Sequence, residues 1–233
     1  MALGAVLLCA AGAATAAPSY QAGEIQNAGA IVGEVTYDGP PPPPRTLAVT
    51  KDQEVCGQGA PSESLVVGRD GKVANAVVSI VGITRGKPMP TLEPVLDQKG
   101  CRYLPHVLLA PAGETIRVRN SDGILHNVHT RSRVNPPVNI AQPKFKKEVS
   151  IELEEPESVA VRCDAHEWMS AVIVAMEHPY YAASDPQGTF RIGDVPPGEY
   201  TLRVWHETLG EKSEKVTIEA GKETRAVFEL GPR

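Results

Sequence analysis

No stretch of this chain holds a helical period for a useful length. Its apolar runs are short, and glycine and proline, 21 of each among 233 residues, fence them apart. Such a chain can bury apolar side chains only by pairing strands and stacking the resulting sheets, so the pattern predicts an all-β protein built of sandwiches. Thr115-Ile-Arg-Val-Arg119 shows the two-residue period, with Ile116 and Val118 on one face and Arg117 and Arg119 on the other. Further strands are predicted at 31–37, 65–67, 76–81, 107–110, 124–129, 148–153, 159–163 and 171–176. Five prolines, Pro40 to Pro44, predict a stiff extended connector. The length allows one large or two small domains.

One segment carries chemistry. Cys163-Asp164-Ala165-His166-Glu167-Trp168-Met169 closes a predicted strand and puts a thiolate, an imidazole and a thioether within seven residues. Cys and Met are soft ligands suited to copper(I), and His suits both copper oxidation states. One Cys and two His in a trigonal set, with a distant Met, is the donor combination of a blue (type 1) copper site. The second His must come from another strand, and His126 in Asn120-Ser-Asp-Gly-Ile-Leu-His126-Asn127-Val128 is placed to supply it. Zinc also takes Cys and His, but Met is a poor zinc ligand and structural zinc sites more often carry additional cysteines. One copper ion is therefore expected, with zinc as its competitor.

These paired segments resemble the cupredoxins of the plastocyanin and amicyanin kind, in which a strand ending in Asn leads to a His-Asn-Val ligand segment and a later loop delivers Cys, His and Met. Leu104-Pro105 and Pro111-Ala-Gly-Glu-Thr-Ile116 add to the likeness, which spans about residues 100–177. The resemblance implies a Greek-key β-sandwich with His126, Cys163, His166 and Met169 as ligands. It also implies that Asn127 ties the two ligand loops together through the residue after the Cys, which is Asp164 here rather than a small hydroxyl residue. A carboxylate there should favour Cu(II) and lower the potential. Trp168 is expected as a packed lid. By analogy the His166 edge would reach the surface near Trp168 and Pro136-Pro137.

The last fifty residues resemble a different family, the transthyretin-like or carboxypeptidase regulatory-like β-sandwich, through Gly188-Thr-Phe-Arg-Ile192, Val195-Pro-Pro-Gly198 and Glu199-Tyr-Thr-Leu-Arg-Val-Trp205. The first half of that repeat is missing there and has its counterpart upstream, at 31–37 and 75–80. One Ig- or transthyretin-like sandwich formed by 30–89 and 181–233, with a copper domain inserted at 90–180, is therefore expected. The alternative is consecutive domains, 30–180 and 181–233.

Residues 1–17 read as a signal peptide, with an uncharged Ala- and Leu-rich core and an A-x-A site at Ala14-Thr15-Ala16, though without a basic leading segment. Leu7-Leu8-Cys9 only faintly resembles a lipoprotein box. Export, to a periplasm or outside the cell, makes a disulfide permissible. Once Cys9 leaves with the signal, pairing Cys56 with Cys101 would free Cys163 for a metal. A net charge of −5 argues against a nucleic-acid partner, and no apolar run is long enough to span a membrane. His129, three residues beyond His126, should face away from the metal. His106, His178 and His206 are expected to be structural or surface residues, a second copper site among these four being the sharper alternative. No nucleophile–base arrangement, phosphate loop or H-E-x-x-H motif appears, so catalysis in isolation is not expected. The reading is an electron carrier serving unnamed redox partner proteins; a copper-delivery protein and a cupredoxin subunit of a larger redox enzyme are the alternatives.

Overall fold

A computed structural model describes residues 19–232. The expected signal segment, with Cys9, lies outside the described residues. Apart from one short helix, Gln53–Cys56, the regular structure is β-strand, arranged mainly in four sheets that stack as two sandwiches.

In the first sandwich, one sheet orders Glu148–Glu152, Thr115–Asn120, Val95–Gln98 and Tyr103–Leu104. The facing sheet orders Asn139–Gln142, His126–Arg131, Glu157–Arg162, Ser170–Met176 and Val107–Pro111. Ile116 and Val118 point into its core beside Leu96, Val128, Val159, Val161 and Ile173, while Arg117 and Arg119 stay outside, as the alternation requires. The second sandwich draws on both ends of the chain. Gly29–Tyr37 lies between Thr189–Val195 and Glu223–Leu230, and Val77–Val81 lies between Tyr181–Ala183 and Gly198–His206.

Strand Ser170–Met176 joins the two. Its run of Ala171-Val-Ile-Val-Ala175 is buried on both faces, which explains why it does not alternate in polarity. Ala171, Ile173 and Ala175 face the first core; Val172, Val174 and Met176 pack with Val77 and Val107 against Trp205 and Tyr181 between the sandwiches. His106 adds a polar tie across this seam, its ring bonded to the Ser170 carbonyl and the Glu207 carboxylate. The apolar triplet 65–67 makes no strand; Val67 forms an isolated bridge to Val73, because the tight turn at Asp70-Gly71 ends the pairing at once.

His206 ends strand Gly198–His206 in full burial, and its Nδ1 accepts the N–H groups of Thr208 (3.2 Å) and Leu209 (3.3 Å). Burial pulls its pKa from 6.5 down to about 4, with neighbouring Glu207 opposing and His106 reinforcing the shift. A folded value below the unfolded one means the unfolded chain binds the proton more readily. The stability this neutral ring contributes is therefore complete above pH 6.5 and is lost as pH falls through 4, a loss on the order of 3 kcal/mol. Denaturant midpoints should fall steeply over that window, and His206→Asn, whose side-chain oxygen can accept the same N–H groups, should flatten the slope. An unchanged slope in the variant would assign the acid loss elsewhere.

Candidate metal centre

Asn120 and Asn127 shape the two loops that meet at one end of the first sandwich. The buried Asn120 side chain donates from Nδ2 to the carbonyls of Ile124 (2.8 Å) and Gln142 (2.9 Å), fixing the turn that delivers His126. Asn127 Oδ1 accepts the N–H of Asp164 (2.6 Å) and, more weakly, of Ala165 (3.4 Å), while its Nδ2 donates to Asp164 Oδ2 and Asn139 Oδ1. Two segments far apart in sequence are thereby locked side by side. The second loop closes on itself: Met169 N–H donates to the His166 carbonyl at 3.0 Å, and Cys163 N–H to the Met169 carbonyl at 3.4 Å.

Three donor atoms converge there, all on buried residues. His126 Nδ1 and His166 Nδ1 stand 2.9 Å apart, with Cys163 Sγ at 4.0 Å from the first and 3.8 Å from the second. A point equidistant from three atoms so spaced lies about 2.1 Å from each, within the range of metal–imidazole and metal–thiolate bonds. Met169, 1% exposed, packs in the same cluster as Cys163.

The outer nitrogens explain why the inner ones need a cation. His126 Nε2 lies 2.9 Å from Asp122 Oδ2, and His166 Nε2 lies 2.9 Å from Asp52 Oδ2. Carboxylates only accept, so both Nε2 atoms carry hydrogen, and in the neutral rings the Nδ1 atoms are lone pairs aimed at one another and at the sulfur. Buried acceptors facing acceptors repel unless a positive ion lies between them. The donor set thus fits a metal ion, and the carboxylate–imidazole pairs are the outer support that metal-binding histidines commonly have. Burial holds the His126 imidazolium form down, the outweighed contribution of Asp122 opposing, so the ring stays in its ligating state. Burial also pushes the Cys163 thiol up, against backbone N–H groups of Asn127, His166 and Ala165. A cation reverses that preference and stabilises the thiolate.

Sequence reasoning missed both carboxylates. Asp122, four residues before His126, also accepts the N–H groups of Gly100 (2.6 Å) and Cys101 (2.8 Å) and so ties three segments together. Asp52 arrives from 114 residues away. The proline run leads into a small hairpin, Thr46–Ala48 with Gly59–Pro61, whose intervening turn holds Asp52 in a left-handed conformation (φ 51°), one that Asp tolerates better than most residues. The Cys56–Cys101 disulfide and an ion pair from Glu63 to Arg102 fasten this segment over the site. Cys163 is the free cysteine among the described residues.

The cover changes one expectation. The His166 ring does not reach the surface: it is 0% exposed, shut in by Asp52 and by Trp168, whose ring centroid is 5.0 Å away and whose Nε1 donates to the Cys101 carbonyl. Pro136 and Pro137 lie in the loop beside Thr130, at the opposite end of the strand from His126. Asp164 points outward to His129 and Asn139, which hold its carboxyl below the usual range. His129 accordingly stands outside the donor cluster, as do His106, His178 and His206 among the described residues. The buried His178 accepts the Tyr180 N–H at 3.2 Å.

Residues 168–231 match the carboxypeptidase regulatory-like domain. That stretch holds the carboxy-terminal strands of the second sandwich, which Gly29–Tyr37 and Val77–Val81 complete from upstream. The chain thus joins the donor-bearing first sandwich to a second β-sandwich whose carboxy-terminal part matches a carboxypeptidase regulatory-like domain. Solved structures similar to the chain include amicyanin from Paracoccus versutus, at 20% identity over 42% of this chain and 97% of that one (TM-score 0.33). A purple cupredoxin from Nitrosopumilus maritimus matches at 17% identity over 36% and 100% (TM-score 0.31). A copper-containing nitrite reductase from Thermus scotoductus matches at 22% identity over 40% of this chain but only 24% of its own length (TM-score 0.32). Comparison with curated protein sequences gives no match. No helix of the described residues is long and apolar enough to cross a membrane.

Proposed function

We propose that this chain is an exported type 1 copper protein that carries electrons between partner proteins and is not an enzyme on its own. His126, Cys163 and His166 are its equatorial ligands and Met169 its weak axial ligand. The observation that carries this reading is the buried triangle of two imidazole nitrogens and one sulfur, with Met169 buried in the same core cluster as Cys163.

A single copper ion there supplies a one-electron couple. The chain's own residues supply rigidity, which keeps the cost of reorganisation between oxidation states low. Asn120 and Asn127 fix both loops, and Asp52 and Asp122 fix both ring orientations. Burial of all three donors favours retention of the metal over its ready transfer, which sets the carrier reading above copper delivery. Met169 in the cluster favours copper over zinc.

Titration of the purified apoprotein with Cu(II) should produce an intense visible thiolate-to-copper band at one equivalent, together with a reversible one-electron couple. Cys163→Ser should abolish the band without unfolding either sandwich. A colourless metal complex, or a band that survives the substitution, would sink the proposal.

A further inference from the structure

The two sides of the metal-bearing end differ. Both rings are 0% exposed, but His166 lies behind Asp52 and Trp168, whereas His126 lies at the floor of a shallow open depression edged by Lys51, Leu125, Ala141, Ala165 and the Asp164 carboxylate. Leu125, directly before His126, is 48% exposed. Strand Asn139–Gln142 ends opposite His126 and runs into a turn closed by the Lys146 N–H on the Pro143 carbonyl at 2.8 Å. Phe145 in that turn is 84% exposed, the most exposed large apolar side chain among the described residues. Lys144, Lys146 and Lys147 flank it, and Lys147 Nζ lies 3.8 Å from where a Cβ on Gly123 would sit, two residues from Leu125. Among the described residues, none of Lys51, Lys144, Lys146 and Lys147 forms an ion pair, although many other basic side chains of the chain do.

Single exposed apolar side chains are ordinary on soluble proteins. An exposed phenyl ring and leucine surrounded by unpaired lysines instead have the make-up of an interface, with an apolar centre and a charged rim. The local charge also opposes the net charge of −5, so the face selects its partner by sign. We propose that Leu125, Phe145 and the lysines around them form the docking surface for an acidic one-electron redox protein, which exchanges electrons on the His126 side. This inference rests on the copper reading above. A lipid surface would take the same charges but gain nothing from lying beside His126; electron exchange requires that proximity.

The test uses the reduced copper-loaded protein and ferricyanide, a trianion standing in for an acidic surface; one electron leaves the protein and ferricyanide becomes ferrocyanide. If the lysine face governs encounter, the rate should fall as salt is added, despite the net negative charge. The triple variant K144E/K146E/K147E, with an unchanged visible spectrum, should then react roughly tenfold more slowly at low salt and show the opposite salt dependence. A wild-type rate that rises with salt, or a triple variant indistinguishable from wild type, overturns the docking surface. So does a triple variant that loses binding to phosphatidylserine vesicles while keeping its ferricyanide rate, which would assign the loop to lipid. A wild-type protein whose oxidised copper-loaded form shows no visible band and whose reduced form does not react at all would instead refute the copper reading.

Discussion

Ending the chain after residue 181 should leave the metal-bearing sandwich folded, with the hairpin Thr46–Ala48/Gly59–Pro61 still tied to it by Cys56–Cys101, and unfold strands Gly29–Tyr37 and Val77–Val81. Strand Gly29–Tyr37 would lose both of its neighbours, Thr189–Val195 and Glu223–Leu230, and Val77–Val81 would lose Gly198–His206. The second core would also lose Phe190, Ile192, Leu202, Val204, Ile218, Phe228 and Leu230, leaving Ile31, Val35, Val78 and Ile80 open to water. Each such side chain contributes about 1.5–3 kcal/mol by burial, so the deficit exceeds the roughly 5–15 kcal/mol by which a whole domain is stable. Limited proteolysis with mass analysis should find cleavage concentrated at residues 19–45 and 64–89, while the tied hairpin and the core of strands 95–176 resist and the copper band persists. Protection of strands Gly29–Tyr37 and Val77–Val81 in the shortened chain would contradict the inserted arrangement and favour two consecutive domains.

Asp52→Ala should weaken copper binding by about 10–100-fold, the usual effect of removing an outer-shell partner of a metal-bound histidine. The ring of His166 would lose the one acceptor that fixes Nε2 as the protonated nitrogen, and its Nδ1 would no longer be held on Cys163 and His126. Asp52→Asn should lose less, because the amide oxygen can still accept. Competition against a chelator measures both affinities. Nitrogen-resolved NMR of the apoprotein should in addition show the Nε2–H tautomer of His166 in the parent and a mixture in Asp52→Ala. Equal affinities in parent and Ala variant would mean that the cover over His166 is only a lid.

Much of the site is written in local sequence. Cys163, His166 and Met169 share a seven-residue segment, and Asn120, His126 and Asn127 share one of eight, so donor chemistry and spacing can be read without coordinates. The β class is equally local, because alternation in Thr115–Asn120 depends only on where successive side chains point. The failures have a common cause. Residues 65–67 have the apolar content of a strand, but whether they pair depends on the neighbouring turn. Exposure of the His166 edge was inferred from kinship, and a segment that kinship does not describe covers it.

Side-chain type and local period therefore determined that this chain is made of strands and carries a soft, copper-suited donor set. The tertiary structure alone decided that the donors meet around a point at bonding distance, that both outer nitrogens are held by carboxylates, and that both rings are buried, His166 under Asp52 and Trp168 and His126 beneath an open depression with exposed lysines nearby. The division is physical: periodicity and ligand chemistry belong to neighbouring residues, whereas a bond such as Asp52 to His166 exists only after 114 residues of intervening chain have folded back on themselves.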